Sequence, residues 1–135
     1  MKKKRTGLRV LLGIMIAFVV VVGGFFAFVL MGKNTAIGLA LENVPLTNVS
    51  DGVYEGSYAG FRWSNTVEVT VENHEIVDIA VTHPQVFMKP ETADELKGRV
   101  TMQQRTDVDV VSSATADSKA YLKAVENALK NEVSS

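Results

Sequence analysis

The chain has 135 residues, 47% of them hydrophobic, with 14 basic and 15 acidic side chains and a formal net charge of −1. That length allows one small domain plus whatever the ends hold. The absence of cysteine excludes a disulfide framework and acylation of the lipoprotein type, and it leaves a metal site without thiolates.

The apolar excess is concentrated in residues 10–32, which contain no charged side chain. At about 1.5 Å per residue this run crosses the roughly 30 Å hydrocarbon core of a bilayer as a helix. Lys2, Lys3, Lys4, Arg5 and Arg9 precede it and Lys33 follows it, while all 15 acidic residues lie in 34–135. The other eight basic residues leave that remainder at a formal −7. The positive-inside rule keeps residues 1–9 in the cytoplasm and exports everything after Lys33, so a single-pass membrane protein in contact with the lipid bilayer is expected. A cleavable signal peptide is the rival reading. Its apolar core is normally shorter and ends at a small-x-small site, which Phe28–Met31 lacks; Gly38-Leu39-Ala40 would be a late one. An acidic exported part repels nucleic acid.

Residues 33–50 read as a linker broken by Gly38, Pro45 and several asparagines, with a short helix over Thr35–Glu42. The domain proper is expected over 51–135. Gly52–Tyr58 alternates as a first strand, and Thr66–Val71 alternates with Val67, Val69 and Val71 on one face. Asn73-His74 marks a turn, and Ile76–Val81 returns with Val77, Ile79 and Val81 sharing a face, which makes a β-hairpin. After Pro84 the period becomes helical. Thr92 or Asp94 caps a helix reaching about Gln104, and a second runs from about Asp117 to Lys130. In the latter Tyr121, Ala124, Val125, Ala128 and Leu129 form an amphipathic face. The fold class is α+β, an antiparallel sheet with two packed helices behind one N-terminal transmembrane helix.

Between the helices Ser112-Ser113-Ala114-Thr115 enters a helix N-terminus. Unpaired first-turn N–H groups and the positive end of the helix dipole converge there, and small side chains let an anion approach. The same residues also suit ordinary capping. His74 and His83 lack paired spacing, so no metal site is expected, and no Ser-His-Asp or paired-carboxylate arrangement supports hydrolysis.

From Asp51 to Leu129 the chain resembles the FMN-binding domain family, which includes flavin subunits of sodium-pumping quinone reductases and Rnf-type complexes. The resemblance is carried by Asp51-Gly52-Val53-Tyr54-Glu55-Gly56, a Val-rich hairpin, Glu91-Thr92, Gln103-Gln104, Asp109-Val110-Val111-Ser112-Ser113-Ala114-Thr115, and the helix from Ser118 to Leu129. It implies FMN joined through its phosphate to Thr115 by a separate flavin transferase. Ser112, Ser113 and Ala114 would line the phosphate, Ser118 would be a further cofactor-binding residue, Asp109 would position the loop or serve recognition by the transferase, and Glu91 and Thr92 would sit near the isoalloxazine ring. Trp63 is the aromatic expected to stack on the flavin, with the sheet face or rim as its other use. Ser113 stands where the family has glycine, and Asp117 where it often has Thr or Ser. The function implied is electron transfer at the outer membrane face, by a carrier rather than a stand-alone enzyme, from a membrane donor such as a quinone-linked dehydrogenase. A flavin-free interaction module and an accessory subunit of a membrane redox complex are the alternatives.

Overall fold

A computed structural model describes residues 2–133 and divides into two compact units, with the boundary between Met31 and Gly32. The first unit is helix α1 (Lys2–Leu30). Among the described residues it is the one helix long and apolar enough to cross a membrane. It is apolar around its whole circumference, and most of those side chains are exposed, the character of a membrane span rather than of a surface helix.

In the second unit β1 (Gly52–Tyr58), β2 (Asn65–Glu72) and β3 (Glu75–His83) form an antiparallel sheet in sequence order. The central strand β2 buries Val67, Val69 and Val71 completely, as strict alternation dictates for a strand with one covered face. Asn73 and His74 join β2 to β3 with φ of 53° and 63°, the positive values that a two-residue type I′ hairpin turn demands.

The third strand departs from simple alternation. Val71 lies opposite Ile76 and Thr70 opposite Asp78, so Val77 is an extra residue; Thr82 is another, between the partners of Val67 and Thr66. Each bulge shifts the side-chain phase by one. Ile76 and Ile79 therefore both enter the core, while Val77, expected on the same face as Ile79, is 47% exposed. The backbone at the first bulge is completed by Gln104. Its Oε1 accepts from the Ile76 N–H at 2.6 Å, and its Nε2 donates to the Ile76 carbonyl at 2.9 Å.

Helix α3 (Pro90–Gln103) starts before the expected caps Thr92 and Asp94, because Pro90 occupies the first helical turn after Lys89, where the missing N–H has no partner to lose. Lys97 of α3 pairs with Asp78 of β3 at 2.5 Å, and this hydrogen bond holds the Asp78 carboxyl below its ordinary range. Helix α4 (Thr115–Val133) buries the expected Tyr121, Ala124, Val125, Ala128 and Leu129, and also Leu122 and Glu126.

Those two extra buried positions are explained by residues 33–50, which lie along α4 instead of hanging free. Helix α2 (Lys33–Ile37) buries Ala36 in a cluster with Trp63, Ala116 and Ala120. Lys119 donates to the Leu39 carbonyl at 2.9 Å, and the Glu42 N–H donates to Glu126 at 2.6 Å. Glu126 is fully buried, and Lys123 lies 2.6 Å from its second carboxylate oxygen, which supplies the partner a buried charge requires. Thr106 accepts from the Val44 N–H and donates to the Glu42 carbonyl. Val44 and Val49 enter the main core.

The closest approach of helix to sheet is at Gly56. A Cβ there would run into the backbone of Ala124 and Ala128, which no side-chain rotation relieves. Gly56→Ala is therefore expected to cost about 3 kcal/mol, the upper part of the usual range for overpacking. Gly98→Ala, where an added Cβ meets nothing within 4 Å, is expected to stabilise α3 by roughly 0.5–1 kcal/mol. Urea unfolding of the two variants checks both signs.

Candidate functional site

The start of α4 is built by a tight local network. The Ala114 N–H donates to the Val111 carbonyl at 3.0 Å, and the Ser118 N–H makes the first helical bond, to Ala114, at 2.8 Å. The Ser118 hydroxyl accepts from the Val111 N–H at 3.0 Å, and Ser118 is fully buried. The N–H groups of Thr115, Ala116 and Asp117 precede the first i→i−4 bond and have no intrahelical acceptor. They form the anion-binding end of the helix dipole. Ser113, just before them, holds φ of 69°. This is the left-handed conformation that glycine adopts freely and serine only at a cost of roughly 1 kcal/mol.

These residues form one wall of a cavity of about 350 Å³, completed by Lys33, Ile37, Arg62 and Trp63. That volume lies in the range of small-ligand sites. Trp63 is fully buried and donates from Nε1 to Asp117 Oδ1 at 2.7 Å. The Arg62 guanidinium lies 3.9 Å above the Trp63 ring centroid, 3.8 Å from Asp117 Oδ1, and donates to the Val86 carbonyl at 3.1 Å. Gln85 donates to the Asp117 carbonyl at 3.0 Å. Asn65 spans the Trp63 and Ala120 carbonyls at 3.1 Å each, fixing the Trp63 turn to α4. Two cations and a helix N-terminus thus face one carboxylate, and that carboxylate is occupied by the indole and Arg62. The balance favours an anion.

Ser113, Ala114, Thr115 and Trp63 line the same cavity. Trp63 is buried in a packed cluster, with its nitrogen taken by Asp117 and Arg62 over its ring. Ser112 is exposed in the turn before the helix. Ser118 points inward and holds the loop rather than lining this cavity. The loop at Asp109 is held from α3, where Arg99 donates to the Asp109 and Val110 carbonyls at 2.8 and 3.0 Å. Glu91 and Thr92 lie in the first turn of α3, and Thr92 is 8% exposed. They adjoin a second cavity of about 280 Å³ between α3 and β3, lined by Pro90, Ala93, Ile79, Val81 and Tyr121 among others. The two cavities are one turn apart along α4, at Asp117 and Tyr121.

Lys33 and Arg62 were not singled out from the sequence. Lys33 reads there as a charge closing the apolar run, and Arg62 as an ordinary turn residue beside an aromatic. Asp117, the residue that stands where the family often has Thr or Ser, lines the cavity and bonds to a tryptophan 54 positions away.

A family model described as "FMN-binding domain" matches residues 60–130, which takes in Arg62, Trp63, the hairpin, α3 and all but the last three residues of α4. A Treponema pallidum (strain Nichols) protein described only as an uncharacterized protein is 36% identical over 84 residues. The match covers 61% of this chain and 23% of that protein's length.

The strain at Ser113 yields a graded expectation. Ser113→Gly is expected to be neutral or to stabilise by up to about 1 kcal/mol. Ser113→Val, β-branched in a left-handed conformation, is expected to cost about 1–3 kcal/mol. Thermal unfolding of the two variants against the parent reads the order directly.

Proposed function

The chain belongs to the FMN-binding domain family, and on that premise we propose that it is a membrane-anchored, extracytoplasmic electron carrier whose flavin is attached through phosphate to Thr115. The observation that carries this reading is the placement of Thr115 at the unpaired N-terminus of α4, in a cavity it shares with Lys33 and Arg62. These residues suit a phosphate: three first-turn amides and two cations supply donors and charge, and Ala114 and Ser113 keep the approach open. Ser113 keeps the positive φ of a glycine, which favours a retained site over a lost one.

FMN, when bound, supplies the ability to accept and release one or two electrons; the protein holds, orients and tunes it. Attachment transfers the FMN phosphoryl group of FAD to the Thr115 oxygen, the pyrophosphate bond breaking and AMP leaving, with a flavin transferase and Mg²⁺ as the agents. Arg62, held by Asp117 and the Val86 carbonyl, sets a fixed positive charge on the cavity that Thr115 lines. Ser118 and Arg99 hold the loop, and Asp109 within it is the residue assigned to positioning or to transferase recognition. Glu91 and Thr92, beside the apolar cavity, are assigned to the ring end. The five cations of residues 1–9 orient α1 with its N-terminus in the cytoplasm and the domain outside. A quinone-linked membrane dehydrogenase fits as the donor, since a flavin held at the outer face is accessible to membrane-bound partners.

The first test is the intact mass of the full chain co-expressed with a flavin transferase, after denaturation. A gain of one FMN less one water, absent in Thr115→Ala, is the expected result. An unchanged mass, with no flavin released from the native protein, would overturn the carrier reading in favour of a flavin-free interaction module. A second expectation concerns Asp117→Asn, which keeps an acceptor for the Trp63 indole and removes the one negative charge in the cavity. It is expected to raise non-covalent FMN affinity of the unmodified protein about two- to fivefold, the size of a partly exposed charge interaction, as read by flavin fluorescence titration.

A further inference from the structure

The large apolar side chains exposed on the second unit are unevenly placed. Among the described residues of that unit seven large apolar side chains are exposed: Val53, Val77 and Met102 stand apart on β1, β3 and α3, while Ile37, Phe61, Val86 and Phe87 gather around the Arg62 turn, with Phe61 56% and Phe87 62% exposed. Phe61 and Phe87 hold φ of 55° and 67°, an unusual conformation for bulky residues, and it presents both rings to solvent. Their two turns are fastened together: the Val86 N–H donates to the Arg62 carbonyl at 3.0 Å, and Arg62 donates back to Val86 at 3.1 Å. The outward aromatics are therefore fixed by the fold. A soluble surface ordinarily hides such a group.

A Cβ on Gly32 would lie 2.8 Å from the Phe61 ring, so Phe61 packs against the first residue of the unit. Helix α1 ends at Leu30 and α2 begins at Lys33, which leaves Met31 and Gly32 as the whole connection. Two residues reach at most about 7 Å when fully extended. Charge points the same way. Lys33 and Arg62 lie beside Ile37 at this end, Arg62 being paired with Asp117, and Lys89 follows Phe87 by two residues, while Asp51, Glu72 and Glu75 flank the opposite end of the sheet, and residues 34–135 carry a formal −7. An anionic phospholipid surface attracts the first end and repels the other.

We propose that the face formed by Ile37, Phe61, Val86 and Phe87, with Lys33 and Lys89 at its edge, docks on the phospholipid surface of the bilayer that α1 spans. The aromatics enter the interfacial layer, where amphipathic and aromatic side chains are favoured, and the lysines meet headgroup phosphates. Ile37 also lines the Thr115 cavity, so docking sets that cavity at headgroup level. Its redox partner is then one that is dissolved in the membrane or integral to it. This inference rests on the anchored reading and does not require the flavin.

The absence of cysteine makes the test direct. Spin labels are placed singly at Phe61→Cys, Val86→Cys, Glu75→Cys and Val20→Cys in the full chain, reconstituted in liposomes of phosphatidylcholine and phosphatidylglycerol. Accessibility to oxygen and to a water-soluble nickel complex is then read by power saturation. The expected result is that labels at 61 and 86 favour oxygen, the label at 75 favours nickel, and the label at 20 lies deepest. Labels at 61 and 86 matching the one at 75, with 20 in the bilayer, would overturn the docking alone. A label at 20 in water would overturn the anchored reading and the docking together. Labels at 61 and 86 shielded from both reagents would mean a protein covers this face, which also overturns the lipid assignment.

Discussion

The contact on which the domain depends is the one between β1 and α4 at Gly56. Because no side chain intervenes, the helix backbone settles directly on the strand, and the helix axis has little freedom to slide or tilt. Everything at the N-terminal end of α4 inherits that position. Thr115 falls beside the turn that follows β1, so Arg62 and Trp63, more than fifty residues earlier in the chain, stand across the cavity from it. A side chain at position 56 would push the helix away and separate the two halves of the site.

Around that contact the protein spends its polar groups on holding loops in place. Asn65, Gln85, Arg99, Gln104 and Thr106 each tie a side chain to backbone carbonyl or amide groups of a distant segment. Such bonds are modest individually, but an unpaired buried partner is costly, so they act mainly by excluding alternative loop positions. The site gains from this. The first-turn amides of α4, the strained Ser113 and the Arg62 guanidinium are fixed in place by these bonds, and preorganised donors bind without the cost of ordering. Asp117 illustrates how a local charge conflict is handled. Its carboxylate would oppose an anion, yet it is engaged by the Trp63 indole and offset by Arg62.

The two-residue connection between the units changes how the anchor is understood. Residues 33–50 read as a flexible spacer because asparagine, glycine and proline interrupt every period. In the structure they are packed along α4 by long-range side-chain to backbone bonds and by the buried Glu126. The domain therefore begins two residues after α1 ends in the sequence, with no free spacer between them.

Sequence alone determined what depends on local pattern and composition. The uncharged run of residues 10–32, the charge partition, the hairpin at Asn73-His74, the amphipathic face of α4 and the small hydroxyl cluster before it were all legible. Each of these is written within a few neighbouring residues. So was the family resemblance, carried by short motifs in a fixed order. Tertiary structure alone decided the rest. The bulge at Val77, which reverses its face, arises from pairing with β2 and Gln104 rather than from β3 itself. The burial of Glu126 and Leu122 follows from the segment laid over α4. Lys33 and Arg62 reach Thr115 only because helix and sheet pack at Gly56, and no spacing in the chain encodes that proximity. Periodicity reports which face of an element is covered; which distant residue covers it is fixed by packing.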